Sequence, residues 1–139
     1  MRGEGGKFER GKRKGECSVR KDEDLRDRTK QFALRVIRMF GSLPKTTEAQ
    51  VLGKQVLRSG TGVAANYREA RRGRSRAEVR AKLGIVEQEL DETILWLELF
   101  VEAEILPAGR LEPLLQEADE LLRIMVTSIT RLKDEESTR

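Results

Sequence analysis

The sequence contains no histidine. That removes the commonest general base near neutral pH and the commonest ligand of transition metals. One cysteine, Cys17, can form neither an intrachain disulfide nor a cysteine-rich zinc site, and it fits a reducing compartment. With prolines only at 44, 107 and 113, most of the chain is open to long helices. Aromatic residues make up 4% of the chain, so any core is aliphatic. No apolar run approaches the roughly 20 residues of a membrane span. The longest, Ile94–Val101, is interrupted by Glu98, and no secretory apolar segment follows Met1. A bacterial, cytoplasmic protein with no cofactor, no metal and no membrane contact is expected from these absences.

What the chain has is charge. Asp, Glu, Lys and Arg make up 37% of 139 residues, a length suited to one domain. Abundant charge around aliphatic residues is the composition of long amphipathic helices. The net charge of +4 is unevenly spread. Residues 1–21 hold eight Lys and Arg against three Glu, or +5, which leaves −1 for the rest. This segment has too few large apolar groups to offset its ordering entropy. It is expected to be a disordered basic arm, either a leader without function or a nucleic-acid-binding extension.

Four amphipathic stretches follow. From Asp22 to Gly41, Leu25, Thr29, Phe32, Val36, Met39 and Leu43 form a seam at spacings of 4, 3, 4, 3 and 4. Ala33, Ile37 and Phe40 widen it. A second helix is expected from Thr46 or Thr47 to Arg72, with Leu52, Val56, Val63, Tyr67 and Ala70 inward. Ser75 and Glu78 form a capping box for a third, ending near Ile105, with a seam of Leu83, Val86, Leu90, Ile94, Leu97 and Val101. Trp96, Leu99 and Phe100 add a surplus of apolar surface that points to contact with another subunit. The fourth covers Arg110–Lys133, with Leu111, Leu115, Ala118, Leu122, Met125, Ile129 and Leu132 inward and Pro113 in its first turn. Short connections make the helices antiparallel. The expected fold is all-α: an up-down-up-down four-helix bundle over residues 22–133, followed by a polar tail, 134–139.

Two glycines, Gly60 and Gly62, interrupt the second helix at about 1 kcal/mol each relative to alanine. Close approach of a neighbouring helix would offset that cost. A phosphate loop is disfavoured, because no strand precedes Gly60-Thr61-Gly62 and no Lys-Ser/Thr follows it. Asn66 is placed to turn inward and pair with Glu92, fixing register, although a simple surface pair fits as well.

Charge marks two further regions. Between Arg68 and Lys82, the basic residues Arg68, Arg71, Arg72, Arg74, Arg76, Arg80 and Lys82 face only Glu69 and Glu78. Arginine suits bidentate phosphate contact, so this turn is the candidate nucleic-acid site, against the plainer reading of a solvated helix end. Glu87, Glu89, Asp91, Glu92, Glu98, Glu102 and Glu104 form an acidic run. Without Glu-x-x-His motifs it does not read as a di-iron site, and no enzyme activity is expected.

The stretch from Leu57 to Ala70 (LRSGTGVAANYREA) and the later Glu89–Leu99 (ELDETILWLEL), with Leu43-Pro44 before them, resemble the 23S rRNA-intervening-sequence family of bacterial four-helix bundles. The resemblance spans roughly Leu25 to Leu132 and excludes the basic arm. It implies a bundle that often assembles as a homopentamer. It extends to the accessory protein of diversity-generating retroelements, which binds a reverse transcriptase and nucleic acid. It supplies no catalytic residues. In this reading Gly60, Gly62, Asn66, Tyr67, Glu92, Trp96 and Phe100 are structural or interface positions. The expected function is non-enzymatic nucleic-acid binding, of RNA, by a homo-oligomer; the alternative is a protein-interaction scaffold such as a reverse-transcriptase accessory subunit.

Overall fold

A computed structural model describes the backbone of residues 14–137 and the side chains of residues 21–137. It contains four helices: α1 (Lys14–Gly41), α2 (Thr47–Arg71), α3 (Arg76–Glu102) and α4 (Ala108–Ser137). No strand occurs among the described residues. Consecutive helices pack along their lengths, while α1 and α4 touch only lightly. Asp22 of α1 pairs with Arg71 of α2, and Arg76 of α3 with Glu135 of α4, so these four helix ends share one end of the molecule. At the other end Arg110 donates to Ser42. The result is the expected antiparallel four-helix bundle. No helix among the described residues is long and apolar enough to cross a membrane.

Caps set the interior helix starts. Thr46 accepts a hydrogen bond from the Ala49 amide, and Ser75 from the Glu78 amide. The Glu78 carboxylate reaches back to the Arg74 amide, one residue beyond the usual capping-box partner. The outer bounds differ from expectation. Helix α1 begins at Lys14, so the last eight residues of the expected disordered arm are helical; residues 1–13 lie outside the described residues. Once the apolar stripe anchors α1, each further residue adds one hydrogen bond without a new nucleation cost, so the helix extends back even through Gly15. Helix α4 starts at Ala108, which puts Pro113 inside it rather than in its first turn, and it continues through most of the expected tail to Ser137.

The α1 seam is buried from Thr29 to Leu43, with Leu25 half-buried, but Ile37 is 45% exposed and does not widen it. On α3 the inward track is Leu83, Val86, Leu90, Thr93, Leu97 and Phe100; Ile94 and Val101 lie half-buried beside it. On α4 Leu114 and Leu121 take the places expected for Leu115 and Leu122. Both tracks are largely apolar, so periodicity alone cannot choose between them. On α3 a hydrogen bond decides: buried Thr93 Oγ1 donates to the Glu89 carbonyl at 2.7 Å and lies 2.7 Å from buried Ser59 Oγ of α2.

Small residues on α2 admit its neighbours. A Cβ at Gly60 would stand 2.9 Å from both methyl carbons of Val36 on α1, and one at Gly62 would stand 3.0 Å from the Glu89 carboxylate of α3. Side chains, rather than a neighbouring backbone, fill the space. The lightly packed α1–α4 seam is closed by a polar clasp. Arg28 donates two bonds to Glu117, at 2.9 and 3.1 Å, and one to Glu120 at 2.7 Å. Helix α3 ends in a Schellman motif, with the Ile105 amide on the Phe100 carbonyl and the Glu104 amide on that of Val101. Its left-handed position, normally glycine, is Glu104 at φ 60°.

Val36 is fully buried and stiff at χ1, so it cannot yield to a new methyl group. Gly60→Ala is expected to lose about 1–2 kcal/mol, overpacking outweighing the gain in helix propensity. Gly84 has open space around its Cβ position, and Gly84→Ala is expected to gain up to about 1 kcal/mol. Urea unfolding of the two variants checks both signs. In the same assay Glu104→Gly should gain about 0.5–1 kcal/mol by relieving the left-handed backbone.

Candidate nucleic-acid interface

The turn between α2 and α3 holds Arg72, Gly73, Arg74 and Ser75. A Cβ at Gly73 would lie 2.6 Å from Val79 Cγ2, so the turn is tight and the arginines flanking it are crowded onto one end of the bundle. All seven basic residues expected at the site lie on this turn or the helix segments beside it.

Their partners divide them. Arg71 is bound to Asp22 of α1. Arg76 lies 3.5 Å from Glu135, and Arg80 2.8 Å from Glu136, both on the last turn of α4. Lys82 bonds Glu69 of α2 at 2.9 Å. Arg68, Arg72 and Arg74 are exposed, and their side chains have no carboxylate partner among the described residues. The end is therefore a mosaic of paired and open arginines rather than a bare basic patch. The sequence window counted only Glu69 and Glu78 against these cations; α1 and α4 bring Asp22, Glu135 and Glu136 from far along the chain. Exposed pairs of this kind stabilise by only about 0.2–1 kcal/mol each. Arg68, Arg71 and Arg72 also line, with Asp22, Glu23 and Arg26, a depression of about 320 Å³.

Tyr67 anchors this end from below. It is buried, and its phenol is pushed up to about 12, first by burial and then by the Asp22 carboxylate, to which it donates a hydrogen bond. Asp22 is thus held by both Tyr67 and Arg71, which ties α1 to the end of α2.

The other expected positions scatter. Gly60 and Gly62 face α1 and α3 respectively. Asn66 and Glu92 do not pair: Asn66 donates to the Gly62 carbonyl of its own helix at 2.8 Å, and Glu92 faces Arg58 at 3.4 Å. The amide finds its acceptor one turn back, which needs no second helix. Phe100 is fully buried core rather than interface. Trp96 is half-buried, and its indole Nε1 is buried without a partner among the described residues. Glu89 was missed as an individual site. Its Oε1 is buried with no partner among the described residues, and its carboxyl is pushed above the ordinary carboxylate range by burial, then by Glu92, with Arg58 opposing. The one signal for it in the sequence was Gly62, whose missing side chain makes the room. Among the described residues no three of His, Cys, Asp and Glu converge as metal ligands.

Residues 21–127 match the family model described as 23S rRNA-intervening sequence protein. The chain belongs to this family. A crystal structure of a protein of unknown function from the S23 ribosomal protein family of Bacteroides thetaiotaomicron is similar to it, at 34% identity and a TM-score of 0.74. That match covers 79% of this chain and 98% of the other. No curated protein matches the sequence. As in the resemblance read from sequence, the matched family region leaves out residues 1–20, most of the basic segment.

Glu89 offers a test of packing at this family's glycine-containing helix. Folded Glu89 holds its proton more tightly than unfolded Glu89, so its ionisation opposes folding at neutral pH. Glu89→Gln should therefore stabilise the fold at pH 7. The gain should shrink as the pH falls toward the ordinary carboxylate range, where wild-type Glu89 also carries its proton. Denaturant midpoints of both proteins at pH 7 and pH 5 measure it.

Proposed function

We propose that this member of the 23S rRNA-intervening sequence family is a non-enzymatic RNA-binding protein that works as a homo-oligomer. One observation carries the reading: Arg68, Arg72 and Arg74 are exposed, with no carboxylate partner among the described residues, at the end of the bundle where α1 begins. A guanidinium presents parallel N–H donors to phosphate oxygens, and neighbouring cations gain affinity by releasing counterions. The family's name points to an RNA context. Self-association is favoured by exposed Ile37, Val51, Leu95 and Val126, which put apolar surface on all four helices. The assembly is expected to be cytoplasmic, and the resemblance favours a pentamer.

A second reading has its own observation. The unpartnered Trp96 indole N–H, beside exposed Leu95, suits a protein partner that supplies an acceptor. Such a scaffold would serve as an accessory subunit, for example of a reverse transcriptase in a diversity-generating retroelement.

Binding to single-stranded RNA, titrated across a salt series, separates the two. R68A/R72A/R74A should weaken binding at least tenfold at low salt. It should also reduce the slope of log affinity against log salt by about 2, since each single-strand phosphate contact contributes roughly 0.7. Arg71→Ala, which removes an arginine already held by Asp22, should do much less. Unchanged affinity in the triple variant would overturn the RNA reading. Light scattering on the full chain tests self-association, and a strict monomer removes that part.

A further inference from the structure

Four basic residues of this end are occupied by carboxylates, and two of those carboxylates sit in an unfavourable place. The last turn of α4 carries Asp134, Glu135 and Glu136 and no basic residue. Negative charge at a helix C-terminus opposes the helix dipole, so local forces do not favour this turn. What holds it lies across the bundle end: Glu135 against Arg76 and Glu136 against Arg80. The first contact is long, and the second engages a single nitrogen. Arg76 Nε stands 3.5 Å from Glu135, long for a hydrogen bond. Arg80 meets Glu136 through Nη2 alone, and its Nε is buried with no partner among the described residues. A phosphodiester can bridge Nε and Nη2 of one arginine with two oxygens, which a carboxylate touching only Nη2 does not do. Arg76 and Arg80 are also four residues apart on one helix, so they share a face and repel each other unless an anion lies between them.

We infer that Glu135 and Glu136 form a displaceable cover over a second RNA-phosphate site made by Arg76 and Arg80. This rests on the RNA-binding reading above and extends it. The open arginines 68, 72 and 74 make the first contact. The strand then takes the place of the two carboxylates, and the end of α4 is released. In the free protein the cover shields cations that would otherwise hold any polyanion.

The test uses the full chain, a fluorescent poly-uridine strand and a fixed, low salt concentration. E135Q/E136Q, which keeps side-chain size and helix propensity, should bind roughly three- to tenfold more tightly, because one exposed and one half-buried ion pair no longer have to be broken. The same change made in an R76A/R80A background should give no gain, because the arginines it uncovers are gone. Amide hydrogen exchange should accelerate over residues 134–137 when wild-type protein binds the strand. No gain in E135Q/E136Q would overturn the cover. So would a gain of equal size without the two arginines, which would make the effect one of net charge. The outcome for R68A/R72A/R74A is read separately. If that variant loses binding while E135Q/E136Q gains nothing, the cover fails and the RNA reading stands. If it binds normally while E135Q/E136Q gains through Arg76 and Arg80, the first contact lies elsewhere and the cover stands.

Discussion

The structure depends on α2 being thin where two helices press on it. Val36 of α1 occupies the space a side chain at Gly60 would fill, and the Glu89 carboxylate of α3 occupies that of Gly62. Between these contacts Ser59 meets Thr93 in a fully buried hydrogen bond. Gly53, Gly60 and Gly62 each weaken an isolated helix by about 1 kcal/mol, so α2 is a poor helix by itself. It becomes a good one once Val36 of α1 and Glu89 of α3 pack into the space the glycines leave. Packing and helix formation are therefore coupled here, which is the usual source of helical stability in a folded domain.

This arrangement decides where polar interactions go. With α2 drawn close to both α1 and α3, the α1–α4 seam is the loosest in the bundle. It is closed by the Arg28 guanidinium, whose proton is held more firmly because Glu117 and Glu120 both accept from it. The antiparallel order also brings the starts of α1 and α3 and the finishes of α2 and α4 to one end. Acidic residues near the two chain ends thereby meet the arginines near the middle. No local feature of the Arg68–Lys82 segment requires Asp22 or Glu136 as a partner; topology supplies them.

That is why the fold was legible in the sequence and the site only in part. On α1 the 4-3 seam fixes the face: Thr29, Phe32, Val36, Met39 and Leu43 are all buried on it, with Ala33 buried beside them. Where adjacent positions are both apolar, as at Leu114-Leu115 and Leu121-Leu122, the pattern leaves the rotation free and packing sets it. Thr93 was invisible for another reason: a polar residue reads as outward until its partner on another helix is known. The same holds for charge. Counting cations within one stretch finds the arginines, but which of them are open depends on carboxylates from α1 and α4, more than fifty residues away in sequence at Arg76 and Arg80. Asn66 erred the other way, since a partner on α3 was expected and its own helix supplied one.

An end built from paired and open arginines behaves differently from a uniformly basic one. Each pair at the surface is weak, so a polyanion can exchange a carboxylate for a phosphate at little net cost. On the RNA-binding reading proposed above, the open arginines would set the affinity of first contact, and the paired ones would add contacts only where a strand is long enough to reach them. Short anions would then meet only Arg68, Arg72 and Arg74, while a continuous strand could also displace Glu135 and Glu136. Discrimination by length, rather than by base, is the selectivity such a surface can deliver, because every group on it addresses the phosphate backbone. The tight α2–α3 turn matters to this argument as much as the charges do. With Gly73 packed against Val79, Arg72 and Arg74 are carried on a turn set by the bundle itself, so the fold fixes where these two cations leave the backbone.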